Sequence, residues 1–184
     1  MNRDQLAHVL RAASNIVTED PVLVVIGSQR VLAVHDEADL PPLATASMEV
    51  DVAYFNDPDD AKADRADAAI GELSQFHITF GIYAQGVSIT TAVLPVGWQG
   101  RLVAWSNAST GSSRALFLEP HDCVVSKLVA HRGKDLAFAG ALIDAGLVDV
   151  EVLRARAELL PGAVHPAIRT AGQRWLDAWT DRAP

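Results

Sequence analysis

The sequence is poor in the residue types that mark several classes of protein. It contains one cysteine, Cys123, which excludes an internal disulfide or a cysteine metal site within one chain. No apolar run approaches the roughly 20 residues that a membrane-spanning helix needs. The first residues mix charged with apolar side chains and lack the apolar segment of a signal peptide. We therefore expect a cytoplasmic protein without membrane association, in which Cys123 is buried.

Acidic residues outnumber basic ones, and this limits the possible partners. The chain has 15 lysine and arginine residues against 23 acidic residues, a formal net charge of −8. That balance argues against nucleic-acid binding over the whole surface, although it allows a local basic patch. The 184 residues and apolar content of 49% suit one globular domain. We expect a single domain over residues 1–184, with a sheet core over about 20–120 and a helical part over about 120–184.

A strand and a turn open the most informative stretch of the sequence, residues 22–52. Residues 22–26 are apolar and mostly β-branched, which is typical of a buried strand. Gly27 and Ser28 then turn the chain towards a short helix over residues 29–35. The N–H groups and the dipole at a helix start favour phosphate. This turn therefore predicts an anion site.

An acidic strand closes the same stretch. Residues 48–52 alternate polar with apolar side chains, so a strand there puts Glu49 and Asp51 on one face and Val50 and Val52 on the other. Neighbouring carboxylates repel each other unless a cation lies between them. A divalent metal that carries nucleotide phosphates is the usual partner of such a pair.

The remaining pattern predicts helices and short strands. We expect a packing helix over residues 3–14, a helix from the turn at 57–60 to about residue 73, and a meander of strands over 87–94, 102–105 and 115–118. Residues 76–83 fit either a strand or irregular structure, and 106–113 fit a loop. Arg101 and Arg114 flank the strands and either reach phosphates or are ordinary surface arginines.

Helices follow the last predicted strand. Pro120 suits the first position of a helix, Asp149 suits a helix N-cap, and Pro166 opens a final helix. Lys127 lies among apolar residues in the first of these helices, which is unusual for a lysine that is merely solvated. A lysine at such a place is expected to direct a compact charge at carboxylates or phosphates.

The motifs together resemble a known family. Gly27-Ser28 after a strand, followed by the acidic strand, resembles the nucleotidyltransferase fold of the DNA polymerase beta superfamily. The long gap between Ser28 and Glu49 is more similar to the abortive-infection (AbiE-type) nucleotidyltransferase toxins and their uncharacterised relatives. Residues 119–135 are similar to the Asp…Lys…Arg-x-Lys-Asp helical motif of that group. The resemblance covers roughly residues 21–149. It implies an α+β fold, with a nucleotidyltransferase-like mixed or antiparallel sheet flanked by helices and a helical C-terminal part.

The resemblance also implies an activity. It is that of a metal-dependent enzyme that transfers NMP from an NTP to an RNA, such as tRNA, or to a protein, with Mg²⁺ or Mn²⁺ as cofactor. The implied context is a toxin–antitoxin or phage-defence system with a cognate antitoxin as partner. The implied residues are Asp51, Lys127 and Asp135 for catalysis, Gly27, Ser28, Lys127 and Arg132 for nucleotide binding, and Glu49, Asp51 and Glu119 for the metal.

Two departures from the family pattern keep other interpretations open. The first metal carboxylate of the family is normally an aspartate, and the extra methylene of Glu49 moves its oxygens, whereas Mg²⁺ demands near-ideal geometry. Many members take a third carboxylate from a later strand, and here only Glu119 is near one. The alternative is therefore an inactive nucleotidyltransferase-fold binding protein that acts as a partner in such a system. An accidental resemblance would require Glu49 and Asp51 to lie away from Gly27 and Ser28.

Overall fold

The chain has a mixed α+β fold. A computed structural model describes residues 1–19, 22–35, 37–105 and 114–181, and the loop expected over 106–113 lies outside them. The chain divides into two compact units. Unit 1 comprises Met1–Thr91 and Leu102–Leu118, and unit 2 comprises Ala92–Arg101 and Glu119–Pro184. The change from unit 1 to unit 2 after Leu118 lies close to the predicted change from sheet to helices near residue 120. A single-domain organisation stays a prediction.

Unit 1 is built on a mixed, open sheet. Within the described residues, five strands pair in the order β3-β2-β1-β5-β4. They are β1 (Val22–Val25), β2 (Glu49–Tyr54), β3 (Tyr83–Gly86), β4 (Val103–Trp105) and β5 (Arg114–Phe117). Strand β1 runs antiparallel to β2 and parallel to β5, β3 runs parallel to β2, and β4 is antiparallel to β5. The strand that precedes Gly27 and the strand that carries Glu49 are therefore direct neighbours.

The helices of unit 1 precede and connect these strands. They are α1 (Arg3–Ile16), α2 (Val31–Val34), α3 (Pro42–Thr45), α4 (Ala61–Ile70) and α5 (Gln75–Phe80). The apolar stripe that predicts α1 is buried at Leu6, Val9, Leu10 and Ala13, which confirms that helix. Asn2 caps it with a side chain that accepts a hydrogen bond from the N–H of Gln5.

Unit 2 is helical where the structure describes it. Its helices are α6 (Pro120–Ala130), α7 (Gly133–Asp144), α8 (Val150–Glu158) and α9 (Pro166–Thr180). The predicted starts at Pro120, Asp149 and Pro166 are confirmed, and Asp149 caps α8 by accepting from the N–H of Val152 at 2.9 Å. Cys123 is buried, as expected. Among the described residues, no helix has the length and apolar character needed to cross a membrane.

Two predictions of local structure are wrong. Residues 87–94 form no strand but contain a tight turn at Ile89–Thr91, so the meander lacks its first predicted strand. Its other two strands are confirmed as the antiparallel neighbours β4 and β5. The Ser88 hydroxyl contacts that of Thr90 at 2.9 Å, and such local side-chain bonds compete with strand pairing. Residues 76–83, expected to be a strand or irregular, belong mainly to α5 and then enter β3.

Candidate functional site

The Gly-Ser turn lies against the acidic strand. Val25 pairs with Val52, and the N–H of Ile26 donates to the carbonyl of Asp51 at 3.2 Å. The Asp51 side chain covers Gly27 so closely that a Cβ atom on Gly27 would lie 2.2 Å from Asp51 Oδ2. Gly27 has a φ of −86°, which other residues also adopt, so this position needs glycine for space. Asp51 is therefore not separated from the turn, as an accidental resemblance would require.

Hydrogen bonds tie the turn to the start of β2. The completely buried side chain of Gln29 donates from Nε2 to the carbonyl of Ser47 at 2.9 Å. The Ser47 hydroxyl oxygen accepts from the N–H of Glu49 at 3.1 Å. The backbone that carries Glu49 is therefore fixed relative to the backbone that follows Gly27. Sequence reasoning missed Gln29 and Ser47, because no local pattern indicates a contact across 18 positions.

Glu49 and Asp51 share one face of β2, as predicted. Both are half-buried, whereas Val50 and Val52 on the other face are completely buried. The hydroxyl of Tyr83, on β3, donates to Glu49 Oε2 at 3.0 Å. Burial raises the pKa of Tyr83 to about 12, together with the hydrogen bond to Glu49 and nearby negative charges. The phenol is therefore protonated at neutral pH and acts as a donor to Glu49.

Strand β3 places an amide beside Asp51. Gln85 is in register with Asp51, and Tyr83 with Glu49. In the described part of the chain, no three or more His, Cys, Asp or Glu side chains are grouped to hold a metal ion. Mg²⁺ commonly takes one or two protein carboxylates and completes its coordination with water and substrate phosphates. The oxygen donors of Glu49 and Asp51 suit such an ion, and Gln85 supplies no third charge.

The helical segment after the turn is too short to produce a strong helix dipole. Ser28–Arg30 forms a single tight turn, and α2 adds only four residues to it. A short helix carries few aligned peptide dipoles, so the predicted attraction for phosphate is weak there. An anion at this turn would depend on the N–H groups after Gly27 and on the half-buried Ser28.

Within unit 2, one cluster brings together three of the predicted site residues. Asp135, whose side chain is 3% exposed, binds Arg132 Nε through Oδ2 at 2.5 Å and Lys127 Nζ through Oδ1 at 3.5 Å. Burial alone would raise the pKa of Asp135, but the hydrogen bond from Arg132 and the charges of Lys127 and Arg132 outweigh it and lower the pKa. The geometry explains why a lysine is tolerated among apolar residues of α6.

Replacing Asp135 with asparagine should lower the unfolding free energy at neutral pH by about 2 kcal/mol, because two cations lose their carboxylate. Because the pKa of Asp135 is lowered in the folded protein, this contribution is complete above the unfolded pKa of about 3.8 and is lost as pH falls through the lower folded pKa. The unfolding free energies of the wild type and of Asp135→Asn, measured with urea, should therefore approach each other as the pH falls below about 4. Asp144→Asn, in the same helix and exposed, is the control and should match the wild type. A difference in unfolding free energy between wild type and Asp135→Asn that stays constant down to about pH 2 would contradict this.

Two further residues from the sequence analysis have defined contacts in unit 2. Glu119 is the N-cap of α6, where Oε2 accepts from the N–H of His121 at 3.0 Å and Oε1 contacts His121 Nδ1 at 2.7 Å. Its role as a metal ligand stays a prediction. Arg101 is not an isolated surface arginine, because its Nε and Nη2 bind the completely buried Asp122 at 2.8 and 3.0 Å.

Comparison with known proteins adds no assignment. Neither the protein-family models, nor the curated proteins, nor the solved structures gave a match to this chain. The geometry described above is therefore the basis for a functional proposal.

Proposed function

We propose that the protein is a metal-dependent nucleotidyltransferase, which transfers NMP from an NTP to an RNA or protein acceptor. The observation that carries the proposal is the Asp51 carboxylate packed on Gly27, with Glu49 on the same strand face. This arrangement supports a nucleotidyltransferase-like sheet, in which a turn that receives phosphates adjoins the carboxylates. A toxin–antitoxin or phage-defence context, with an antitoxin partner, remains part of the proposal through the resemblance alone.

Glu49 and Asp51 are the residues that would hold Mg²⁺ or Mn²⁺. When bound, such an ion would neutralise phosphate charge while an acceptor hydroxyl attacks the α-phosphate in line and pyrophosphate leaves. Gly27 leaves room for Asp51, and the hydrogen bond from Tyr83 restrains Glu49. The backbone after Gly27 and the Ser28 hydroxyl would bind the outer phosphates. The implied roles of Lys127, Arg132 and Asp135 stay predictions.

The test is label transfer from each of the four NTPs, with Mg²⁺ or Mn²⁺, to total tRNA or to lysate protein. We expect transfer by the wild type and a loss of at least about 100-fold in Asp51→Ala, since a metal ligand is removed. Asp59→Ala, which removes an exposed carboxylate elsewhere in unit 1, should keep the activity. No transfer, combined with no shift of the melting temperature by any NTP, would refute the proposal.

One observation favours a second candidate, an inactive binding protein of the same fold. Gln85 occupies the position beside Asp51 where a carboxylate would add a third metal ligand. A protein of this kind would be stabilised by an NTP with Mn²⁺ but would transfer no label. It would also form a stable complex with the product of a neighbouring gene, and Asp51→Ala would leave that complex intact.

A further inference from the structure

The side chain of Glu49 is fixed by a neighbour on β3. Tyr83 lies in register with Glu49, and its hydroxyl donates to Oε2 at 3.0 Å. The backbone of Glu49 is fixed as well, because Ser47 accepts from its N–H at 3.1 Å and contacts its carbonyl at 3.3 Å. Both the backbone and the carboxylate of Glu49 therefore have defined hydrogen-bond partners.

Such a restraint matters more for glutamate than for aspartate. Glutamate has one more rotatable bond, so its carboxylate samples more positions unless a contact selects one of them. Mg²⁺ and related ions require closely defined ligand positions. Asp51 reaches its place with a shorter side chain packed on Gly27, so Glu49 is the member of the pair that needs an external restraint.

Tyr83 is itself held in position. Its ring packs on the His77 ring with a centroid distance of 4.7 Å. The N–H of Leu73 donates to Nδ1 of His77 at 3.0 Å, which anchors the imidazole at the start of α5. A hydroxyl on a ring held in this way is a suitable partner for a metal-binding carboxylate, because outer hydrogen bonds orient ligands.

We propose that Tyr83 is a positioning residue, whose hydroxyl sets the Glu49 carboxylate for a divalent metal ion. The inference rests on the proposed function, since it concerns the same carboxylate pair. It also explains how this chain uses glutamate where a shorter acid would need no such partner. Tyr83 acts through Glu49 and need not touch the nucleotide.

The experiment measures Mn²⁺ binding to the full chain by electron paramagnetic resonance, with and without ATP. We expect Tyr83→Phe to weaken Mn²⁺ binding about tenfold, as loss of an outer hydrogen bond to a ligand does. In a Glu49→Ala background, the same replacement should change nothing further, because its only route of action is gone. Tyr54→Phe removes the other tyrosine hydroxyl of the chain, also in unit 1, and should bind Mn²⁺ as the wild type does.

The outcomes separate this inference from the proposed function. If the wild type binds no Mn²⁺ with or without ATP, both fail. If the wild type binds Mn²⁺ and Tyr83→Phe binds it equally well, the role of Tyr83 alone is refuted. An equal loss in the wild-type and Glu49→Ala backgrounds also refutes it, because Tyr83 would then act independently of Glu49. Circular dichroism of each variant shows whether weaker binding reflects unfolding, and a Tyr83→Phe protein that is unfolded overturns the positioning role in favour of a structural one.

Discussion

Replacing Gly27 with alanine is expected to weaken the binding of Mn²⁺ with an NTP by roughly 100-fold while leaving the protein folded. The new methyl group would lie 2.2 Å from Asp51 Oδ2 and 3.0 Å from its Cγ, so the carboxylate must leave its position. Overpacking of this kind also costs about 1–3 kcal/mol of unfolding free energy. Isothermal titration calorimetry measures the binding, and urea unfolding followed by circular dichroism measures the stability.

A double variant identifies the contact responsible. Asp51→Ala removes the two closest atoms, leaving Cβ at 3.2 Å, so Gly27→Ala should cost less stability in that background. We expect the two stability changes to be non-additive by about 1 kcal/mol or more. Metal binding should stay lost in the double variant, because the ligand is absent. Gly162→Ala is the control, since a methyl group there meets open space. Strict additivity, or undiminished binding in Gly27→Ala, would contradict the interpretation.

The sheet strands on either side of Gly27 could be predicted because each carries a clear local signal. The first is a run of β-branched residues that ends at the glycine, and the second alternates acids with valines, so burial on one face follows from the period of the strand. The helices of unit 2 could also be predicted, because proline favours the first position of a helix and aspartate favours the N-cap. These residues are Pro120, Pro166 and Asp149.

Strand β3 was missed, and with it Tyr83 and Gln85. In helix α5 before it, the apolar residues Phe76, Ile78 and Phe80 alternate with polar ones, which is the period of a strand and not of a helix, and none of its residues is buried. Two signals were nevertheless present in the sequence. Ser74 accepts from the N–H of His77 as an N-cap, and Gly81 ends the helix with a φ of +68°. The pairing of β3 with β2 is non-local, so the positions of Tyr83 and Gln85 beside the acids needed the structure.

The prediction of a strand over 87–94 is wrong for a different reason. Its valine, isoleucine and threonine content favours a strand, but propensity in a sheet depends on neighbouring strands that can pair. Here Ser88 and Thr90 bond to each other, and the passage from unit 1 to unit 2 falls between Thr91 and Ala92. Local composition cannot reveal where a compact unit ends.

Replacing Asp122 with alanine is expected to lower the unfolding free energy by about 3–5 kcal/mol, the second large effect. The Asp122 carboxylate is completely buried and accepts from Nε and Nη2 of Arg101 at 2.8 and 3.0 Å, and it pairs with Nε of Arg156 at 3.5 Å. Its removal leaves two largely buried guanidinium groups without the charge that compensates their desolvation. Nothing in the local sequence around Asp122 indicates these partners. Arg101, for example, lies 21 residues before it.

The measurement is urea unfolding followed by tryptophan fluorescence, because Trp98, Trp175 and Trp179 all belong to unit 2. Asp177→Ala is the matched control. It breaks the pair with Arg154, in which the Asp177 side chain is 58% exposed, and should cost less than about 1 kcal/mol.

A third variant separates the lost charge from lost packing. Replacing Asp122 with leucine and both Arg101 and Arg156 with methionine removes the buried charges together, and we expect it to recover most of the stability lost in Asp122→Ala. The reason is that Asp122→Ala loses stability mainly because two buried arginine charges are left without a carboxylate, and less because an attraction is missing. A single variant as stable as Asp177→Ala would show that water reaches both arginines, and the buried ion pair would then contribute little to the fold of unit 2.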